Sequence, residues 1–161
     1  MNGQRINRSI IRSSFEKISR MYESQKVLQK NVVFLICDNT LEAISLYCYH
    51  LVHKNIVFLI GREKGDRDII DLIDNFAPEE IFLCPGRFRH EEQVRELKSR
   101  NYRRVSGYHQ YTRYQRRYND VWSNLDDNTA LLITTSGSVG NGKVVALSYD
   151  NLRKNAETII Q

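Results

Sequence analysis

Short apolar runs alternate with amphipathic segments from residue 32 onward, and this alternation constrains the fold more than any other feature. The runs Val32–Cys37 and Ile56–Ile60 are continuously apolar, as strands buried on both faces of a sheet are. The other strand candidates are Ile81–Leu83, Arg103–Val105, Ala130–Thr134 and Lys143–Leu147, and the helix candidates are Leu41–Val52, Asp66–Asn75, Glu91–Arg100 and Asn151–Ile160. Alternation at these lengths predicts a layered α/β domain with a mainly parallel sheet flanked by helices.

The first 24 residues have a different character. Between Ile6 and Tyr22, apolar residues recur at near-helical spacing, which predicts an amphipathic helix. The segment is rich in Arg and Ser and has no acid before Glu16, which is also typical of a mitochondrial transit peptide. We favour a helix that packs on the domain. The predicted organisation is therefore an N-terminal helix in residues 1–24 and a partial α/β domain in residues 25–161.

Composition predicts a soluble globular protein. The 161 residues can bury one sizeable core, and the hydrophobic and charged fractions, 41% and 27%, are ordinary. No apolar run approaches the length of a membrane span. Cys37, Cys48 and Cys84 are odd in number and widely spaced in apolar settings, so we interpret them as buried thiols rather than disulfides or metal ligands. This usage indicates a reducing compartment, and we expect a cytoplasmic protein.

A loop of small and hydroxyl-bearing residues follows the apolar run that begins at Ala130. Residues 134–143 contain three glycines, four hydroxyls and a final lysine. Glycine lets backbone N–H groups approach a phosphate, the hydroxyls add donors, and the lysine adds a mobile charge. The predicted ATP phosphate-binding residues are Thr135, Ser136, Gly137, Ser138, Gly140 and Lys143.

A divergent P-loop NTPase is one alternative for this loop. The spacing from Gly137 to Lys143 fits G-x-x-x-x-G-K, but Val144 stands where the magnesium-binding hydroxyl should follow. A P-loop also runs directly into a helix, whereas residues 143–147 are apolar and β-branched and predict a strand. Helix signals begin only at Ser148 or Asp150. The sequence therefore predicts a loop between two strands, and a ligand-free hairpin turn remains a second alternative.

The loop and its surroundings resemble the adenylate-forming enzymes, the AMP-dependent synthetases and ligases that include acyl-CoA synthetases. The resemblance rests on Thr135-Ser136-Gly137-Ser138-x-Gly140-x-x-Lys143, an apolar strand, and then Ser148-Tyr149-x-Asn151-Leu152. It extends weakly back to residue 25. The chain departs from the family pattern where Val139 replaces Thr, Gly142 replaces Pro, Val144 replaces Gly and Tyr149 replaces His.

The resemblance implies a two-step reaction. A carboxylic acid attacks the α-phosphorus of ATP to give an acyl-adenylate, and the thiol of coenzyme A or of an acyl or peptidyl carrier protein then takes the acyl group. Magnesium accompanies ATP in such enzymes, although no metal ligand is identifiable in this sequence. The later motifs of the family are absent, so we expect the N-terminal portion of a longer ligase that catalyses nothing alone. Exchange between ATP and pyrophosphate by the chain alone would contradict that expectation.

Residues 87–118 suggest an alternative class, an α/β interaction or nucleic-acid-binding module. Between Arg87 and Arg117 there are ten basic and three acidic residues, and five tyrosines are interleaved between residues 102 and 118. Arginine with tyrosine can supply backbone charge and base stacking to single-stranded nucleic acid. Since no RNA-binding motif accompanies the pattern, we favour a solvated helix and linker whose tyrosines cap the edge of the core.

Overall fold

The computed structural model describes residues 8–22, 30–88, 90–117, 126–135 and 143–160. Within these residues, five helices flank one seven-stranded sheet. The helices are α1 (Arg8–Tyr22), α2 (Leu41–Val52), α3 (Asp66–Phe76), α4 (Glu91–Ser99) and α5 (Tyr149–Ile160). The strands are β1 (Val32–Cys37), β2 (Ile56–Gly61), β3 (Glu80–Leu83), β4 (Tyr102–Tyr108), β5 (Tyr111–Arg116), β6 (Thr129–Thr134) and β7 (Val144–Ser148).

The sheet has a parallel centre and antiparallel flanks. Its order is β4-β5-β3-β1-β2-β6-β7, and the four strands β3, β1, β2 and β6 run parallel. The hairpin β4–β5 joins the centre antiparallel to β3, and β7 joins antiparallel to β6. The predicted layered α/β fold with a mainly parallel sheet is confirmed at this level.

The core lies on both faces of the central strands. Phe34 of β1 contacts Phe58 of β2 with ring centroids 5.0 Å apart, and Phe76 of α3 packs on both rings. On the opposite face, Phe82 of β3 contacts His50 of α2. Because both faces are covered, β1 and β2 are built from continuous apolar runs, and this is why their positions could be predicted.

Helix α1 packs against the domain. Its buried residues are Ser14, Ile18 and Tyr22, and Phe15 contacts Tyr49 of α2 edge-to-face at 5.7 Å. The helix predicted for Ile6–Tyr22 is therefore present within the described residues from Arg8. This packing does not test the alternative that the segment is a mitochondrial transit peptide.

The interpretation of the arginine- and tyrosine-rich segment as a helix and linker is wrong in its second half, although the strand predicted at Arg103–Val105 is present within β4. Beyond α4, the chain forms the two strands β4 and β5, and β5 pairs with β3 as part of the main sheet. Strand β5 escaped prediction because Arg113 and Arg116 interrupt its apolar pattern. The expected role of the tyrosines is closer to the observation: Tyr102, Tyr108, Tyr111 and Tyr114 are all buried, and Tyr118 lies outside the described residues.

Candidate functional site

The two ends of the predicted phosphate loop lie side by side at the base of a hairpin. Thr135 follows β6, Lys143 precedes β7, and both residues are exposed. The backbone N–H of Thr135 donates to the Lys143 carbonyl at 2.9 Å, and the Thr135 hydroxyl donates to the same oxygen at 3.2 Å. The other predicted site residues, Ser136, Gly137, Ser138 and Gly140, lie outside the described residues.

The strand context of the loop contradicts the P-loop alternative. A P-loop joins a strand to a helix, whereas residues after Lys143 form β7, which pairs antiparallel with β6 from Thr134↔Val144 to Thr129↔Ser148. The prediction that this loop joins two strands is thus confirmed.

Both ends of the loop, Thr135 and Lys143, lie at the carboxyl edge of the parallel strands. Leu59 of β2 is the register partner of Ile133 of β6, so Thr135 leaves the sheet at the same edge as Gly61. At this edge, β1 connects onward to β2 on one side, while β3 connects to the β4–β5 hairpin on the other. Open α/β sheets bind ligands in the crevice outside strand ends whose connections diverge in this way.

One arginine spans three strand ends at this edge. Arg62, directly after β2, donates from Nη1 to Asp38 Oδ2 at 2.8 Å and from Nη2 to the Pro85 carbonyl at 3.0 Å. Asp38 follows β1, and Pro85 lies just beyond β3. Arg87 similarly donates to the Lys64 carbonyl at 2.9 Å and pairs with Asp66. Both arginines are therefore engaged by protein acceptors.

Lys143 has a different electrostatic setting from these arginines. Among the described residues, no carboxylate lies within ion-pair distance of its ammonium group. An incoming anion would not have to displace a described carboxylate from Lys143, whereas at Arg62 it would have to displace Asp38. Lys143 therefore differs from Arg62 and Arg87, which both pair with a described carboxylate.

Sequence reasoning overlooked Asp38, Arg62 and Arg87. Each follows the carboxyl end of a predicted parallel strand, and that position is itself a signal for a ligand crevice. Their mutual contacts could not be predicted, because they depend on which strands are neighbours in the sheet.

The amino end of α5 lies at the opposite edge of the sheet. Ser148 and Asn151 exchange hydrogen bonds: the Asn151 N–H donates to Ser148 Oγ at 3.1 Å, and the Ser148 N–H donates to Asn151 Oδ1 at 3.0 Å. This confirms Ser148, rather than Asp150, as the predicted cap. Because β7 runs antiparallel to β6, the helix dipole of α5 begins one strand length away from the loop and does not point at it.

Tyr149 fixes that corner to the amino edge. Its hydroxyl donates to the Asn55 carbonyl at 3.1 Å, and the Lys54 ammonium lies 4.3 Å from its ring centroid. Burial raises the pKa of the Tyr149 hydroxyl, so this group remains protonated and acts as a donor. Tyr149 therefore has a structural role here.

The arginine- and tyrosine-rich segment is largely used internally. The hydroxyl of Tyr102 donates to the Pro78 carbonyl at 2.5 Å, and Arg113 is fully buried against Glu80 with an Nη2–Oε1 distance of 2.7 Å. Stacking on bases requires exposed rings, and the four described tyrosines offer none. This geometry disfavours the nucleic-acid alternative.

The remaining candidate residues form no metal site within the described part of the chain: no group of three or more His, Cys, Asp or Glu side chains there is placed to hold a metal ion. His50 is instead a core residue. Burial, followed by the nearby charges of Arg113 and His53, lowers the pKa of its imidazole from 6.5 to about 3. None of the described helices combines the length and the apolar character that crossing a membrane requires.

Comparison with known proteins shows the fold alone. No family model matches the chain, and no curated protein matches it. Apo MatB from Rhodopseudomonas palustris superposes with a TM-score of 0.70 at 16% identity, covering 98% of this chain and 32% of MatB. The luciferase-like enzyme from the nonluminescent Zophobas morio mealworm superposes with a TM-score of 0.61 at 16% identity, covering 94% of this chain and 38% of that enzyme.

These findings correct the family assignment made from sequence. The chain spans about a third of the length of each neighbour. No family model matches, and the identity to the structural neighbours is only 16%. The assignment of this chain to the AMP-dependent synthetases and acyl-CoA synthetases is therefore wrong. What stands is a shared fold: the chain superposes on about a third of each of these two proteins.

Proposed function

We propose that the loop between β6 and β7 binds the phosphates of ATP and that the chain serves a reaction activating a carboxylic acid as an acyl-adenylate. In the second half of that reaction, the thiol of coenzyme A or of a carrier protein accepts the acyl group. One observation carries the proposal: Lys143, exposed and without a described acidic partner, closes a hydroxyl- and glycine-rich loop at the carboxyl edge of the sheet.

The chemistry asks little of the protein beyond positioned positive charge. As pyrophosphate leaves, negative charge accumulates on the β- and γ-phosphates, and preorganised donors lower the barrier by stabilising that charge. The Lys143 ammonium can follow the departing group, because a lysine is a flexible point charge. The pair of hydrogen bonds from Thr135 to the Lys143 carbonyl holds the backbone of that lysine at the base of the loop.

Magnesium enters the proposal only as the usual companion of ATP. None of the described residues is assigned as its ligand, and no step is derived through it. The identity of the acid also stays outside the proposal.

The test is ATP binding by the full chain, measured by isothermal titration calorimetry. We expect weak binding, with pyrophosphate competing and adenosine not competing, because the loop recognises phosphate. Lys143→Ala should weaken binding about tenfold or more, since a charge-assisted hydrogen bond is worth roughly 1.5–3 kcal/mol. Thr135→Val should have a smaller effect, because it loosens the base of the loop without removing charge.

Lys154→Ala is the matched control. Lys154 is also an exposed lysine, but it lies on α5, away from the loop. If both lysine variants weaken ATP binding equally, or if adenosine competes as well as pyrophosphate does, the loop is not the phosphate site.

A further inference from the structure

Two of the three cysteines, far apart in the sequence, end neighbouring strands. Cys37 is the last residue of β1, and Cys84 directly follows β3. Ile36 and Leu83 are register partners, and the Cys84 N–H donates to the Ile36 carbonyl at 2.9 Å, which continues the parallel ladder by one residue. Cys37 and Cys84 are therefore the next pair across the two strands.

This register places the two thiols side by side. Paired residues of parallel strands point to the same face of the sheet, and the strands lie about 4.8 Å apart. A disulfide needs Cα atoms separated by roughly 4.4–6.8 Å, so the backbone spacing of this pair is suitable. Both cysteines are free.

The surroundings of the pair explain how it would react. Burial raises the pKa of the Cys37 thiol to about 11, and the neighbouring Cys84, Asp38 and Glu63 add to the rise. Burial also raises the pKa of Cys84, and the pKa of Tyr111 is raised by burial and further by both thiols, so all three groups are close neighbours. Since only the thiolate attacks a disulfide, such a pair reacts slowly at neutral pH and faster in alkaline solution.

We propose that Cys37 and Cys84 are a redox-active dithiol, which a small-molecule disulfide such as oxidised glutathione converts to a bridge between the ends of β1 and β3. The half-buried Cys37 reacts first, because Cys84 is only 2% exposed. The Cys37 thiolate attacks one sulfur of oxidised glutathione, forms a mixed disulfide and releases one glutathione thiolate. The Cys84 thiolate then attacks the Cys37 sulfur and releases the second.

The exchange balances without any other reactant. The protein loses two electrons and the two thiol protons, and oxidised glutathione gains both as two molecules of reduced glutathione. The bridge would connect the strand ends that Arg62 already spans through Asp38 and Pro85. It would therefore stiffen the carboxyl edge of the sheet at the point where the connections diverge, whether or not the neighbouring loop binds ATP.

Peptide mapping of the oxidised chain tests the proposal. The reduced chain is incubated with oxidised glutathione across pH 7 to 9 and analysed by intact mass and, without reduction, by mapping with a protease that cleaves after glutamate, because cleavage at Glu42 separates Cys37 from Cys48. We expect a monomer that has lost the mass of two hydrogen atoms, with a peptide linking Cys37 to Cys84. The rate should rise steeply with pH, approaching tenfold per unit, because the thiolate fraction of a thiol with a high pKa does so.

Cys48 supplies the internal control. It lies half-buried on helix α2, outside the strand register that pairs Cys37 with Cys84. Cys48→Ser should leave bridge formation unchanged, and Cys37→Ser should abolish it. The proposal fails if the chain stops at mixed disulfides with glutathione, if the linked peptides contain Cys48, or if both thiols survive at the highest pH. The wild-type mapping alone decides these outcomes, so a variant that folds poorly does not obscure them.

Discussion

The two flanks of the sheet differ in how deeply their side chains are buried. On the β4–β5 side, Arg113 is fully buried and pairs with Glu80, which also accepts the Tyr22 hydroxyl of α1 at 2.5 Å. On the β6–β7 side, none of the described side chains of β7 and α5 is fully buried. Local stability follows buried contacts, so the first flank should open only with the whole domain and the second well before it. The candidate phosphate loop belongs to the second flank.

The difference assigns separate tasks to the flanks. A buried ion pair holds a fixed geometry, because breaking it leaves an unpaired charge in the core. The half-buried strand β7 and helix α5 can change their geometry at small cost, which would suit a loop that closes on a ligand and releases it. The predictions below test this contrast through free energies of unfolding, in order of decreasing effect.

The largest effect is expected from Arg113→Met. Removing one partner of a buried ion pair leaves Glu80 uncompensated and costs about 3–5 kcal/mol. Urea unfolding followed by circular dichroism measures the loss. Arg103→Met, at an exposed arginine of the adjacent strand, should stay within about 0.5 kcal/mol. The double variant Arg113→Met with Glu80→Met should recover part of the stability, and failure to recover any would contradict the ion-pair explanation.

Acid should weaken the same flank through His50. Its imidazole is held neutral among Tyr22 of α1, Arg113 of β5, and Asn55 and His53 at the end of α2, and its pKa falls from 6.5 to about 3. Between about pH 6.5 and pH 3, the unfolded chain therefore binds a proton on His50 that the folded chain does not bind. The free energy of unfolding is at its full value above about pH 6.5 and decreases as the pH falls through this range. His50 thereby lowers the free energy of unfolding by about 1.4 kcal/mol for each pH unit in this range.

Urea midpoints between pH 7 and pH 4 measure that slope. His50→Gln should flatten it, whereas His53→Gln, at an exposed position on the same helix, should leave it in place. Equal slopes in the two variants would mean that another group carries the acid sensitivity.

Two tyrosine hydroxyls compare the flanks directly. Tyr22→Phe removes a hydrogen bond to the buried carboxylate of Glu80 and should cost roughly 1.5–3 kcal/mol. Tyr149→Phe removes a bond to the neutral Asn55 carbonyl at a half-buried site and should cost about 0.5–1.5 kcal/mol. Hydrogen exchange should locate the first loss in α1 and the second in α5. A reversed order of cost would overturn the proposed contrast.

The smallest effect is expected from Ser148→Ala. Loss of the cap of α5 should cost about 1 kcal/mol, and it should appear as faster amide exchange in α5 with little change in the central strands. Ser99→Ala is a suitable control, because its hydroxyl only bonds the Glu96 carbonyl at the end of α4. If the central strands exchange faster as well, the β6–β7 flank is more tightly coupled to the core than its burial indicates.

The parts that sequence could predict are those governed by local pattern. Val32–Cys37 and Leu41–Val52 were predicted to the residue, because the first is a continuous apolar run and the second is the segment between two such runs. Strand β5 was missed because the burial of Arg113 depends on Glu80, 33 positions away. The register of Cys37 with Cys84 and the reach of Arg62 to Asp38 were invisible for the same reason: strand order is a tertiary property. The predicted phosphate site stays a prediction, since its two ends are described and its interior is not.

The position of β6 between β2 and β7 has a consequence for synthesis. Strand β2 ends at Gly61, and its partner β6 begins only at Thr129. One edge of β2 therefore stays unpaired while nearly seventy further residues are translated. At about 5–20 residues per second, that delay lasts several seconds. An unpaired apolar strand edge is a template for association with other chains. We therefore expect the nascent polypeptide to be most vulnerable to aggregation on the ribosome during this interval, and slowing translation there should lower the yield of native protein.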